Sequence, residues 1–246
     1  MSLDTFVPAV STEVVIERRF RGPPESGNGG YSCGVVAEGI TGVAMVTLRL
    51  PPPLDRPLTL TGDGERSRLT IGDRVVGEAS RVTLELEVPE VPELDVAVES
   101  SRRYAGFESH PFEECYVCGP LRDPGDGLRL FPGRVGETTT VAAPWIPDES
   151  LRGGDGLVDR RHVWAALDCP SYFGLPVLPM ALLGRLTAQI DRSPEIGEPL
   201  VVIGWLIEVD GRKSFAGSAL ATAEGEVFAK AAATWIEIDE LPPGVA

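Results

Sequence analysis

The chain is short of positive charge. It carries 22 Lys and Arg against 37 Asp and Glu over 246 residues, a formal net charge of -15, and a field of that sign repels phosphate polymers and anionic lipid surfaces. Nucleic acid and membrane are therefore not expected as partners, and an anionic ligand would need a local basic mouth. Apolar runs of transmembrane length are missing, and Met1 to Val10 shows no charged and apolar leader. With only four cysteines, the chain reads as a cytoplasmic protein with reduced thiols rather than a disulfide framework. Histidine is scarcer still, at two residues, and none follows His162. Gly30-Tyr-Ser-Cys-Gly34 has the spelling of a nucleophile elbow, but that elbow needs an apolar strand before it and a later histidine. The preceding RGPPESGNG supplies no strand. Cys115 and Cys118 have zinc spacing without a second pair, so they read as packing or a weak redox couple; no metal and no cofactor are expected.

What is abundant is glycine and proline, 28 and 22 residues, which implies many turns and a strand-rich fold. The length suits one large domain or two of about 120 residues. Strand patterns run over 13–17, 43–50, 58–61 and 73–86, the last with Gly77 as a bend. The stretch 87–110 holds two Val-Pro pairs and many charges, the composition of a surface connection. The boundary falls there, dividing the chain into 1–100 and 101–246. Further strands are expected over 127–131, 138–143, 183–190, 199–209, 212–222 and 226–238. Asp210-Gly211 marks a hairpin, because glycine supplies the positive φ such turns need.

Residues 156–174, GLVDRRHVWAALDCPSYFG, read as a central helix that a curved sheet wraps. Val163, Ala166 and Leu167 share one face, and Pro170 breaks the pattern beside Asp168. In the first half a glycine run, Gly27 to Gly30, precedes a short helix over Val35 to Ile40 with Glu38 near its end. The halves echo each other: Val35-Val-Ala-Glu38 matches Ala165-Ala-Leu-Asp168, Pro57 to Leu60 matches Pro199 to Val202, and Asp73 to Ala79 matches Gly225 to Ala231.

Cys115-x-x-Cys118-Gly119, Gly127-Leu-x-Leu, a Gly-led helix ending Ala-Leu-Asp168 and long antiparallel strands together resemble the hotdog-fold acyl-CoA thioesterases. The resemblance covers 110–238 and, more faintly, 12–88. It implies an α+β double hotdog: two antiparallel sheets, each wrapping a central helix, joined into one continuous pseudo-dimeric sheet. It also implies hydrolysis of acyl-CoA or a related acyl thioester, with a homo-oligomer of at least two chains. Asp168 would be the catalytic acid, and Glu38 would hold the matching position in the first repeat. In paired hotdogs the acid of one copy commonly faces the helix start of the other, which pairs Asp168 with Gly30 and Tyr31.

Backbone N-H groups at a helix start suit a developing oxyanion. Gly29, Gly30 and Tyr31 are the candidates in the first half, Leu157 and Val158 in the second, with Asn28 and Gly29 expected to bind substrate. Arg160, Arg161, Arg185, Arg212 and Lys213 are the basic residues available for the phosphates of CoA. Three readings stay open beside this one. Asp168 suits the N-cap of a short helix starting at Cys169, Glu38 suits a helix surface, and Cys169 is either a buried small residue or a nucleophile. The competing function is a non-catalytic acyl-CoA or lipid-binding hotdog; a hotdog hydratase is weaker, because its Asp and His on one segment are missing.

Overall fold

A computed structural model describes residues 10–242; the first nine residues of the Met1 to Val10 segment read above lie outside that range. Eleven strands make one sheet: β1 (Val10–Val15), β2 (Ala44–Leu48), β3 (Pro57–Gly62), β4 (Arg66–Ile71), β5 (Arg74–Arg81), β6 (Gly133–Arg134), β7 (Val141–Trp145), β8 (Ala181–Ile190), β9 (Leu200–Asp210), β10 (Lys213–Thr222) and β11 (Val227–Glu237). The order is β1-β3-β4-β5-β2-β8-β11-β10-β9-β7-β6, and every pairing is antiparallel. The first five strands and the last six run outward in matching order from one seam. There β2 pairs with β8, Ala44 opposite Ala188 and Thr47 opposite Arg185. Strands β8 and β11 alternate buried and partly exposed positions, the period of two that a sheet with one core face requires.

Among the described residues four α-helices accompany the sheet: α1 (Gly29–Ala37), α2 (Leu94–Ser101), α3 (Arg160–Ala166) and α4 (Cys169–Phe173). Helices α1 and α3 cross at close range. A Cβ on Gly34 would lie 2.8 Å from Arg161 Cα, and one on Gly30 would lie 2.7 Å from the Trp164 carbonyl oxygen and 2.5 Å from Asp168 Cβ. Only glycine, one turn apart, lets the two backbones meet this way. Among the described residues no helix is long and apolar enough to cross a membrane.

Several sequence expectations change. The helix expected over 156–174 is two helices, α3 and α4, with Asp168 at the joint, and the first helix starts at Gly29 rather than Val35. Strand β4 was not expected. β5 ends at Arg81, and 127–131 is not a strand. The irregularity expected at Gly77 falls next to it, where the β4 and β5 register slips between Leu69↔Gly77 and Thr70↔Val75. The stretch after β5 is more than a connection. Leu86, Val88, Val91 and Leu94 pack on Ala142, Val201, Ile203 and Ala219, and Lys230 Nζ donates to the Leu86 carbonyl at 3.0 Å. This strap and α2 cover a second face of the β7 and β9 region. That is why β9 opens with six consecutive buried residues instead of alternating.

Candidate active site

The joint between α3 and α4 places Asp168 in the core, 1 % exposed. It stands at the N-cap position of α4, with Pro170 in the first turn, yet its side chain makes no cap bond. Its carbonyl oxygen does that work, accepting from Ser171 N at 3.0 Å and Ser171 Oγ at 2.7 Å. The carboxylate is thereby free to reach across to the other half of the chain. Oδ2 accepts from Gly30 N at 2.7 Å and from Asn28 Nδ2 at 2.9 Å. Asn28 is the N-cap of α1, its Oδ1 accepting from Tyr31 N at 2.9 Å, so a neutral cap leaves the positive end of the helix dipole to an outside carboxylate. Asp168 Oδ1 is buried and has no hydrogen-bond partner among the described residues. Burial pushes the Asp168 pKa up to about 7, against the Gly30 hydrogen bond, with Cys115 adding to the rise and Asn28 opposing it.

Asp168, Asn28 and Gly29 line a cavity of about 810 Å³ whose wall also includes Leu183 and Trp235. Its rim carries Arg49 and Arg74, which the sequence reading did not select. Against the same cavity lie three cysteines. The sulfurs of Cys115, Cys118 and Cys169 all fall within 4.8 Å of one another. Hydrogen bonds from Cys118 and Cys169 hold the Cys115 thiol well below its ordinary range, and burial pushes those of Cys118 and Cys169 up. Cys169 lies 54 residues from Cys115, so sequence spacing could not join it to the pair.

The other expected residues scatter. Gly30 meets Asp168 as paired above, but the Tyr31 N-H goes to Asn28, and the Tyr31 ring stacks on Phe20 at a centroid distance of 4.1 Å. Glu38, its side chain 43 % exposed, is ion-paired with Arg161 Nε at 3.3 Å. Arg161 also binds Asp159, the N-cap of α3, through its backbone and its guanidinium. Leu157 N and Val158 N donate to Asp155 Oδ1 and the Pro194 carbonyl. Arg160 donates to the Ile190 carbonyl. Arg185 lines a second hollow of about 530 Å³ with Arg66, Arg68 and Glu78, which shares Arg49 with the Asp168 cavity. Arg212 and Lys213 sit exposed at the β9 to β10 turn. None of these five basic residues lines the Asp168 cavity.

No family model matches the chain, and no curated protein matches it. Solved structures do. A Lactobacillus plantarum chain provisionally named an oleoyl thioesterase aligns with a TM-score of 0.60 at 9% identity, over 97% of this chain and all of that one. The tesB protein of Mycobacterium avium subs paratuberculosis gives 0.59 at 13%, over 97% of each chain. An Alicyclobacillus acidocaldarius protein of unknown function, described as having a hot dog fold, gives 0.55 at 12%, over 98% of this chain and 96% of that one. The fold is the hotdog fold. At these identities the likeness carries the hotdog architecture alone, and the chemistry has to come from the site.

Proposed function

We propose that this protein is a double hotdog, with repeats 1–100 and 101–246, that hydrolyses acyl-CoA or a related acyl thioester at the Asp168 cavity. One observation carries the reading: a buried carboxylate, fixed through one oxygen by the start of the opposite helix, keeps its other oxygen unpartnered in a residue that lines the cavity. A carboxylate held that way is oriented and unspent, which is what a general base needs. In the proposed step Asp168 Oδ1 takes a proton from water, and the water oxygen bonds to the thioester carbonyl carbon. As the tetrahedral adduct collapses the carbon-sulfur bond breaks, and the leaving thiolate takes the proton back from Asp168. Asp168 and Asn28 already take the Gly30 and Tyr31 N-H groups. The proposed oxyanion donor is therefore Gly29 N-H, the remaining first-turn amide at the cavity.

Arg74 at the rim, with Arg49 beside it already paired to Glu78, supports an anionic leaving group in place of the basic residues expected from sequence. The names of the structural neighbours point to the same bond type. The test is release of free thiol from short, medium, long and aromatic acyl-CoAs. Turnover of at least one is expected; binding of a CoA ester without turnover would replace the enzyme by an acyl-thioester-binding hotdog.

A further inference from the structure

Three of the four cysteines meet at one point of the cavity wall, and the hydrolytic step uses none of them. Cys115 and Cys118 sit on a tight turn. The Gly119 N-H donates to the Cys115 carbonyl at 2.9 Å, and a Cβ on Gly119 would fall 2.5 Å from Cys115 N. Cys169, opening α4, brings the third sulfur to 3.8 Å from Cys115 Sγ. That is no disulfide, whose sulfurs lie about 2.05 Å apart. It is the edge of a tetrahedron: a zinc ion with bonds of about 2.3 Å to sulfur spaces two thiolates about 3.8 Å apart.

The surroundings of the sulfurs are N-H donors. Asn28 Nδ2 lies 3.8 Å from Cys115 Sγ and 3.9 Å from Cys169 Sγ. His110 Nδ1 accepts from Phe112 N at 2.9 Å, so its Nε2 carries the hydrogen and donates to Cys118 Sγ at 3.3 Å. His110 thus serves a sulfur rather than standing as a fourth ligand. Donors of this kind orient thiolates and spread their charge. The unpartnered Asp168 Oδ1, nine-tenths buried and more, belongs to a residue of the same cavity wall.

We propose that Cys115, Cys118 and Cys169 bind one thiophilic divalent cation, Zn²⁺ foremost, in the wall of the Asp168 cavity, its fourth coordination position facing the cavity. On binding, three thiols release their protons to solvent as three metal-sulfur bonds form, leaving one net negative charge that the N-H donors offset. The cation clips α4 to the Cys115 turn, so its binding free energy adds to folding. The proposal does not rest on hydrolysis, since a binding protein would keep the same clip.

The test is Co²⁺ titration of the reduced, metal-free full chain. A thiolate-to-cobalt charge-transfer band and tetrahedral ligand-field bands are expected, saturating at about one ion per chain and bleached by Zn²⁺. Zn²⁺ should also slow alkylation of three of the four cysteines in the wild type, a readout that needs no variant. Cys115→Ser and Cys169→Ser should each weaken the metal by about 100-fold or more, while Cys33→Ser, in α1 and not one of the three clustered sulfurs, should leave the spectrum unchanged. A wild type with no saturable cobalt spectrum overturns the proposal, as does a spectrum that survives Cys169→Ser. No thioester enters this experiment, so its failure is read separately from a failure of hydrolysis.

Discussion

Two helix starts in this molecule receive a carboxylate from the end of the opposite helix, and they are built differently. At α1 the cap is neutral Asn28, the second helical residue is Gly30, and the incoming Asp168 bonds directly to its backbone N-H. At α3 the cap is Asp159, the second helical residue is Arg161, and the incoming Glu38 meets the guanidinium. Asp159 has already placed a negative charge at that helix start, and Arg161 answers both carboxylates. Burial works to raise the Asp159 pKa, but the hydrogen bonds from Arg161 hold it below its usual range. One junction is buried and has an unspent oxygen beside a cavity. The other is half exposed, with its charges answered. The same topology therefore makes a candidate reaction site once, and the difference lies in a glycine against an arginine and an amide cap against an acidic one.

The sharpest way to break the first junction is Gly30→Ala. The added methyl meets Asp168 Cβ and the Trp164 backbone at under 3 Å, so a loss of about 3 kcal/mol is expected in urea unfolding, with the Asp168 geometry lost alongside. Asp168→Asn should move stability the other way. The amide keeps a carbonyl oxygen for Gly30 N and Asn28 Nδ2 while removing a buried charge, so the variant should be more stable by about 1–3 kcal/mol at neutral pH. A melting temperature below wild type would contradict the placement of a strained carboxylate there.

The aromatic group beside α3 offers a pH test. His162 is buried against Tyr31 and Phe20, its Nδ1 3.0 Å from Tyr116 OH. Burial drives its pKa down to about 4, against the pull of Asp159 and with Arg161, Arg19 and, in the opposite sense, Asp148 contributing less. The unfolded chain takes its proton near pH 6.5 and the folded chain only near 4, so this contribution is present above 6.5 and fades as pH falls toward 4. The raised Asp168 pKa moves stability the other way over the same range, so the His162 share is read as a difference: His162→Gln should gain about 1–3 kcal/mol on the wild type as pH falls across that window. Smallest of all is Glu38→Gln, which removes one half-exposed ion pair; a change of less than about 1 kcal/mol is expected in the same unfolding assay.

How much of this was legible beforehand follows from how local each signal is. Strands β8 to β11 stood out because alternation and the Asp210-Gly211 turn are written within a few residues. Strand β4, RSRLTI, escaped because its exposed face carries two arginines and only Leu69 and Ile71 mark the apolar side. Asp168 was legible as a carboxylate at a helix break, and Gly30 as its partner through the resemblance. The reason Gly30 and Gly34 are glycine was not, since it lies in the backbone of α3, about 130 residues away. Nor were Arg49 and Arg74 at the rim or Cys169 beside Cys115, because each depends on which strands and loops the folded sheet brings together.

The most direct test of the account compares thiol release from the best acyl-CoA by wild type, Asp168→Asn and Glu38→Gln at equal folded concentration. The asymmetry between the two junctions predicts that Asp168→Asn loses about 10²- to 10⁴-fold in kcat/KM while Glu38→Gln stays within about 2-fold. Equal losses in both variants, or turnover that survives Asp168→Asn, would contradict it.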